Sequence, residues 1–91
     1  MGIKRYHFVI EGRVQGVSYR MSAQIAAQKI GVTGWVRNLR SGQVEMVAEG
    51  EPAQLEQLLE WAWQGPNFAQ VTDISLEKLT ATGEFSLFEI R

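Results

Sequence analysis

One stretch of the chain combines glycines, backbone amides and an arginine in a pattern suited to holding an anion: Gly12-Arg13-Val14-Gln15-Gly16-Val17-Ser18-Tyr19-Arg20. It falls between the end of an alternating segment and the start of a helical one. Successive backbone N–H groups in such a turn can form a concavity for an anion. The helix that follows would add unpaired donors and partial positive charge, with Ser18 as its N-cap. Arg20 then sits in the first helical turn, where the helix dipole disfavours a cation by roughly 0.3–1 kcal/mol at an exposed site. A bound phosphate would remove that conflict, because it attracts both the amides and the guanidinium. Taken alone, the stretch reads slightly better as an ordinary Gly-rich turn followed by a solvated arginine. It is not a nucleotide P-loop, since the Gly-Lys-Ser/Thr ending is missing, nor a dinucleotide fingerprint, which needs a third glycine.

A second stretch, Gly34-Trp35-Val36-Arg37-Asn38-Leu39-Arg40-Ser41-Gly42-Gln43-Val44, places the amide of Asn38 on the same side of its strand as Val36. By itself Asn38 is most simply read as a turn-proximal residue bracing the hairpin backbone.

Other chemistries lack their residues. The chain has no cysteine, which excludes disulfides, a thiol nucleophile and thiolate metal sites. His7 is the lone histidine, mid-strand and opposite Phe8, and one histidine cannot build a metal site. It reads as a surface residue. The net charge of −1 argues against a generic nucleic-acid binder. Arg13, Arg20, Arg37 and Arg40 nevertheless lie in the first half, before Glu49, Glu51, Glu56 and Glu60, so a local anion site is compatible with an acidic whole. No apolar run reaches membrane-spanning length. Met1 to His7 has no apolar core of a signal peptide, and Tyr6 breaks the myristoylation pattern. The default expectation is a cytoplasmic protein.

The elements that would position these residues follow from periodicity. Residues 5–12 alternate, with Tyr6, Phe8 and Ile10 on one side, as in a half-buried strand. Tyr19, Ala23, Ala26, Ala27 and Ile30 share one face of a helix over 19–30, stopped by Gly31. Met21 and Ile25 fall off that face and should be partly exposed. Strands are expected over 33–39 and 43–49, joined by a hairpin at Arg40-Ser41-Gly42. Val44, Met46 and Ala48 face inward, while Glu45, Val47 and Glu49 form an outward, polar side. A second helix over 52–64 begins at Pro52 and presents Leu55, Leu58, Leu59 and Ala62. Trp61 lies off this stripe, exposed. Val71–Leu79 and Glu84–Ile90 read as two further strands.

The order is β-α-β-β-α-β with an extra C-terminal strand. This is an α+β, ferredoxin-like sandwich: an antiparallel sheet with two helices on one face. Ninety-one residues leave room for one domain, expected over 1–91.

Together the two stretches resemble a known family. Ile10-x-Gly12-x-Val14-Gln15-Gly16-Val17-x-x-Arg20 is similar to the first signature of the acylphosphatases, and Gly34-Trp35-Val36-Arg37-Asn38-x-x-x-Gly42-x-Val44 with Gly50 to the second. Gly65-Pro66 and the closing Phe85-x-x-Phe88-x-Ile90-Arg91 are similar as well, so the resemblance spans the whole chain.

The resemblance implies a cofactor-free, metal-independent hydrolase of acyl phosphates, with inorganic phosphate as product and competitive inhibitor. It implies a phosphate cradle of Val14, Gln15, Gly16, Val17, Ser18 and Tyr19. Arg20 matches the phosphate-binding arginine and Asn38 the water-orienting asparagine. Tyr19 departs from the usual Phe and brings a hydroxyl near the site, which bears on rate and specificity. The partner expected is a small-molecule acyl phosphate, with neither nucleic acid nor membrane, and the protein is expected as a monomer. Two other readings are a single-strand RNA-binding module, which would need aromatics on the central strands where Gln43–Glu49 has none, and an acylphosphatase-like module of a larger carbamoyl-transfer protein. The chain's own termini favour a free-standing enzyme over the latter.

Overall fold

Alternation in the first segment produces β1 (Lys4–Arg13), in which Tyr6, Phe8 and Ile10 are buried. The computed structural model describes residues 2–91. α1 (Tyr19–Ile30) buries Tyr19, Ala23 and Ala27 and ends on the left-handed Gly31, while Met21 and Ile25 are exposed. β2 (Thr33–Asn38) and β3 (Val44–Gly50) pair antiparallel across the hairpin, closed by Leu39 N–H donating to the Gln43 carbonyl at 2.8 Å. α2 (Pro52–Gln64) starts with a capping box between Glu51 and Gln54 and buries Leu55, Leu58 and Ala62. β4 (Gln70–Thr80) and the short β5 (Phe88–Ile90) complete the chain.

The strand order is β4-β1-β3-β2-β5. β1 and β2 flank β3, and β3 and β4 flank β1, so each helix bridges two strands that a third separates. This is the double split β-α-β of a ferredoxin-like sandwich. The apolar sides of both helices meet the inner face of the sheet in one core that joins Tyr6, Phe8, Ile10, Val36, Val44, Met46 and Ala48 to Tyr19, Ala23, Ala27, Leu55, Leu58 and Ala62. Four strands are antiparallel as expected. The added β5 pairs parallel to β2, with Val36 opposite Ile90, and makes the sheet mixed.

The C-terminal region differs from a continuous strand over 84–90. Only Phe88–Ile90 is strand. β4 and β5 lie at opposite edges of the sheet, so residues 81–87 must cross between them, and they do so over its outer face. Glu49 lies beneath this crossing, 3% exposed. Its carboxylate accepts Arg5 Nε at 2.7 Å, the Thr82 amide at 2.9 Å and the Gly83 amide at 3.1 Å. Val47 is buried as well. The alternation that marks residues 45, 47 and 49 as outward is correct, but outward here does not mean solvent-exposed: Val47 and Glu49 are buried, Glu49 beneath the crossing chain. Trp61 is half-buried rather than exposed, because its ring tilts against Tyr19 at 5.2 Å between centroids.

β1 carries a bulge where its pairing with β4 shifts between Glu11 and Gly12. Gly12 has φ 125°, and a Cβ there would lie 2.0 Å from the Gln70 carbonyl oxygen. Only glycine fits so close to a neighbouring strand in that conformation. The bulge turns the chain out of the sheet into the loop that precedes α1.

Candidate active site

That loop and the end of β2 converge. Val14, Gly16, Ser18, Tyr19, Arg20, Met21, Asn38 and Ile90 line a pocket of about 370 Å³. Residues from the loop, the first turn of α1, the end of β2 and β5 therefore meet at one place. The split topology brings them together, because parallel β1 and β2 place their C-terminal ends on the same edge of the sandwich.

The loop is shaped for an anion. Gly16 has φ 74° and Ser18 has φ 65°. Ser18 is the sole non-glycine residue with positive φ among the described residues. A backbone that alternates into the left-handed region turns successive N–H groups to one side. The amides of Gly16, Val17, Ser18 and Tyr19 donate to no protein acceptor among the described residues. Ser18 occupies the N-cap position expected for it, but its side chain makes no capping hydrogen bond. Its left-handed backbone is the reason: N-capping by a hydroxyl needs the extended conformation.

Arg20 stands half-buried in the first turn of α1 with no carboxylate partner among the described residues. Asn38 ends β2, and its Oδ1 is buried without any hydrogen-bond partner. A buried, unsatisfied amide oxygen costs on the order of 1–3 kcal/mol and calls for a reason. An unpaired cation and an unpaired acceptor thus border the same cavity.

Gln15 and Val17 do not line the pocket. Val17 packs half-buried on the core. Gln15 sends its side chain across to the hairpin, where Nε2 donates to the carbonyls of Leu39 at 2.7 Å and Gln43 at 2.8 Å. It ties the loop to the strand end that carries Asn38. Nothing in its local spacing signalled this, because both acceptors are backbone atoms of a distant segment.

The Tyr19 hydroxyl, expected near the site, points instead into the core and donates to the Ala62 carbonyl at 2.7 Å. Burial pushes this phenol well above its ordinary range, so it stays neutral. His7 lies on the outer sheet face, where Nε2 is 2.7 Å from Glu45, which also accepts Arg37 Nε at 2.6 Å. Among the described residues no group of three His, Cys, Asp or Glu side chains is placed to hold a metal ion. No helix is long and apolar enough to cross a membrane.

The acylphosphatase family model matches residues 6–90. An acylphosphatase of Marinobacter nauticus is 51% identical over 97% of this chain and 96% of its own length. One from Methylococcus capsulatus is 48% identical over the same shares. Among solved structures, the acylphosphatase from Bacillus subtilis superposes with a TM-score of 0.94 at 36% identity, covering 97% of this chain and 98% of that one.

Proposed function

The chain belongs to the acylphosphatase family, and from that premise we propose that it hydrolyses acyl phosphates to a carboxylate and inorganic phosphate at the pocket between the Val14–Tyr19 loop and Asn38. The phosphoryl group sits in the loop, its oxygens taking the free amides of Gly16 to Tyr19. Arg20 adds a two-pronged contact to the same oxygens. Asn38 holds the attacking water through its unpartnered Oδ1, which accepts a hydrogen bond from one of the water's O–H groups.

The water oxygen attacks phosphorus in line with the acyl oxygen. The P–O bond to the acyl group breaks, and its electron pair leaves with the carboxylate. One water proton passes to a phosphoryl oxygen of the substrate, and the other stays on the attacking oxygen as it becomes part of inorganic phosphate. A carboxylate whose conjugate acid has a pKa of about 4 departs without a strong general acid. What remains for the protein is positioning and charge stabilisation, for which amides, one guanidinium and one amide side chain suffice.

The observation that carries this reading is the buried, partnerless Asn38 oxygen beside the ion-free Arg20. A side chain that merely braced its hairpin would have its oxygen bonded there. The reading is tested by phosphate release from benzoyl phosphate, with and without EDTA. Turnover that persists in chelator and is inhibited competitively by inorganic phosphate is expected. Activity that disappears in EDTA and returns with a divalent ion would overturn the mechanism.

A further inference from the structure

Two apolar side chains at this pocket are left in water. Met21 is 60% exposed and Ile90 is 40% exposed, and both line the same cavity as Arg20 and Asn38. Each has a structural reason to be there rather than in the core. Met21 follows Arg20 and lies off the face of α1 that buries Tyr19, Ala23 and Ala27. Ile90 pairs in parallel register with Val36, so it shares a sheet face with Val36 and, two residues on, with Asn38. The two therefore come from different elements and border one polar floor. Arg20 is the one formally charged residue among those lining the pocket.

We propose that Met21 and Ile90 form an acyl-binding rim that selects acyl phosphates whose acyl group is apolar, an aromatic ring or an alkyl chain of several carbons, over small or charged ones. This rests on the phosphoryl-transfer reading above. With the phosphate seated on the loop amides and Arg20, the acyl group must leave the cradle through the open side of the pocket, which these two residues border. An apolar acyl group covers both and removes their surface from water. A charged one meets two side chains that offer it no hydrogen bond and must shed water to reach them. Single exposed apolar residues are common and need no explanation. Two from separate elements on the rim of one pocket make a surface that a ligand of matching chemistry would cover.

The test compares kcat/KM for benzoyl phosphate and acetyl phosphate in the parent, Met21→Gln and Ile90→Thr. Glutamine keeps the length and helix propensity of Met21, and threonine keeps the β-branch of Ile90. The parent should favour benzoyl phosphate, chiefly through KM. Each substitution should shrink that preference by about three- to tenfold, as expected for losing part of an apolar contact. The ratio of the two substrates is independent of how much of a variant is folded, so a poorly folding variant still reports. If the parent hydrolyses neither compound, the reaction assigned to the site is wrong and the rim proposal falls with it. If it hydrolyses both, while the ratio is near unity or unmoved by either substitution, the reaction stands and the rim proposal is overturned.

Discussion

The hydroxyl of Tyr19 donates a 2.7 Å hydrogen bond to the backbone carbonyl of Ala62 in the last turn of α2. Within a helix that carbonyl would accept the N–H four residues on, but the residue there is Pro66, which has none. The neighbouring Trp61 carbonyl is satisfied by Gly65 at 2.8 Å. Tyr19 thus supplies the donor that proline removes, from the helix packed alongside, at a site where water has no access to the phenol. Tyr19→Phe should therefore cost stability, about 1–3 kcal/mol for a buried carbonyl left unmatched, and leave kcat close to the parent value. A urea melt and a kinetic run on this variant check both halves. A large fall in kcat with unchanged stability would return the hydroxyl to the active site.

Arg20 has no ion-pair partner to lose among the described residues, so its replacement should be felt in function rather than in folding. Lysine keeps the charge but cannot present two parallel N–H groups to two phosphate oxygens. Arg20→Lys is expected to weaken inhibition by inorganic phosphate and to lower turnover by a factor on the order of 10² or more. A variant that binds phosphate and turns over like the parent would remove Arg20 from the cradle.

Asn38 should separate cleanly from Arg20. Asn38→Ala removes the water-orienting acceptor but leaves the loop amides and Arg20 in place. Turnover should fall by roughly 10²–10³, while the inhibition constant for phosphate stays near the parent value. Because Oδ1 is unpartnered in the free protein, its removal should not destabilise the fold. The opposite pattern, a destabilised protein with full turnover per folded molecule, would make Asn38 a hairpin brace.

Gln15 is a positioning residue. Its two hydrogen bonds to Leu39 and Gln43 hold the loop against the hairpin that follows Asn38. Both carbonyls keep a backbone partner without it, the Gly42 amide on Leu39 and the Leu39 amide on Gln43. Gln15→Leu should hence lower stability by only about 0.5–1.5 kcal/mol. It should cut kcat by roughly 10–10², the size of effect expected when a site loosens by a fraction of an ångström to an ångström. Equal kcat in parent and variant would show that the loop keeps its place unaided.

Glu49 gives the fold a dependence on acid. Burial acts to raise its carboxyl, but the Thr82 amide, the Arg5 guanidinium and the Gly83 amide outweigh it and hold the group below the ordinary glutamate value of 4.5. A depressed folded value means that the ionised form favours the folded state. The stabilisation is complete above the ordinary value and is lost as pH falls through it toward the folded one. Glu45 shifts in the same direction, where hydrogen bonds from His7 and Arg37 outweigh its burial. Urea midpoints taken from about pH 7 down to about pH 3 should fall in the acid range, and Glu49→Gln should flatten part of that fall. An identical slope in the variant would remove Glu49 from the account.

Periodicity and turn chemistry were enough to place β1, α1, the β2–β3 hairpin and α2, and their order implied the double split sheet. That follows because alternation and helical spacing record which side of an element meets the core, and the core here is single and continuous. The two motifs also located the pocket, since a loop after β1 and the end of parallel β2 must share an edge. Everything that depends on what lies across from a residue was decided by the tertiary structure. The crossing of residues 81–87 converts Glu49 from a solvent-facing carboxylate into a buried clasp. The parallel seat of β5 puts Ile90 opposite Val36, on the pocket that Asn38 also lines. Gln15 reaches the hairpin, Trp61 finds Tyr19, and the Tyr19 hydroxyl replaces the missing amide of Pro66. Each of these contacts joins segments far apart in the chain. A residue's spacing from its neighbours fixes its direction, but its partner is whatever the packing of other elements carries to that side.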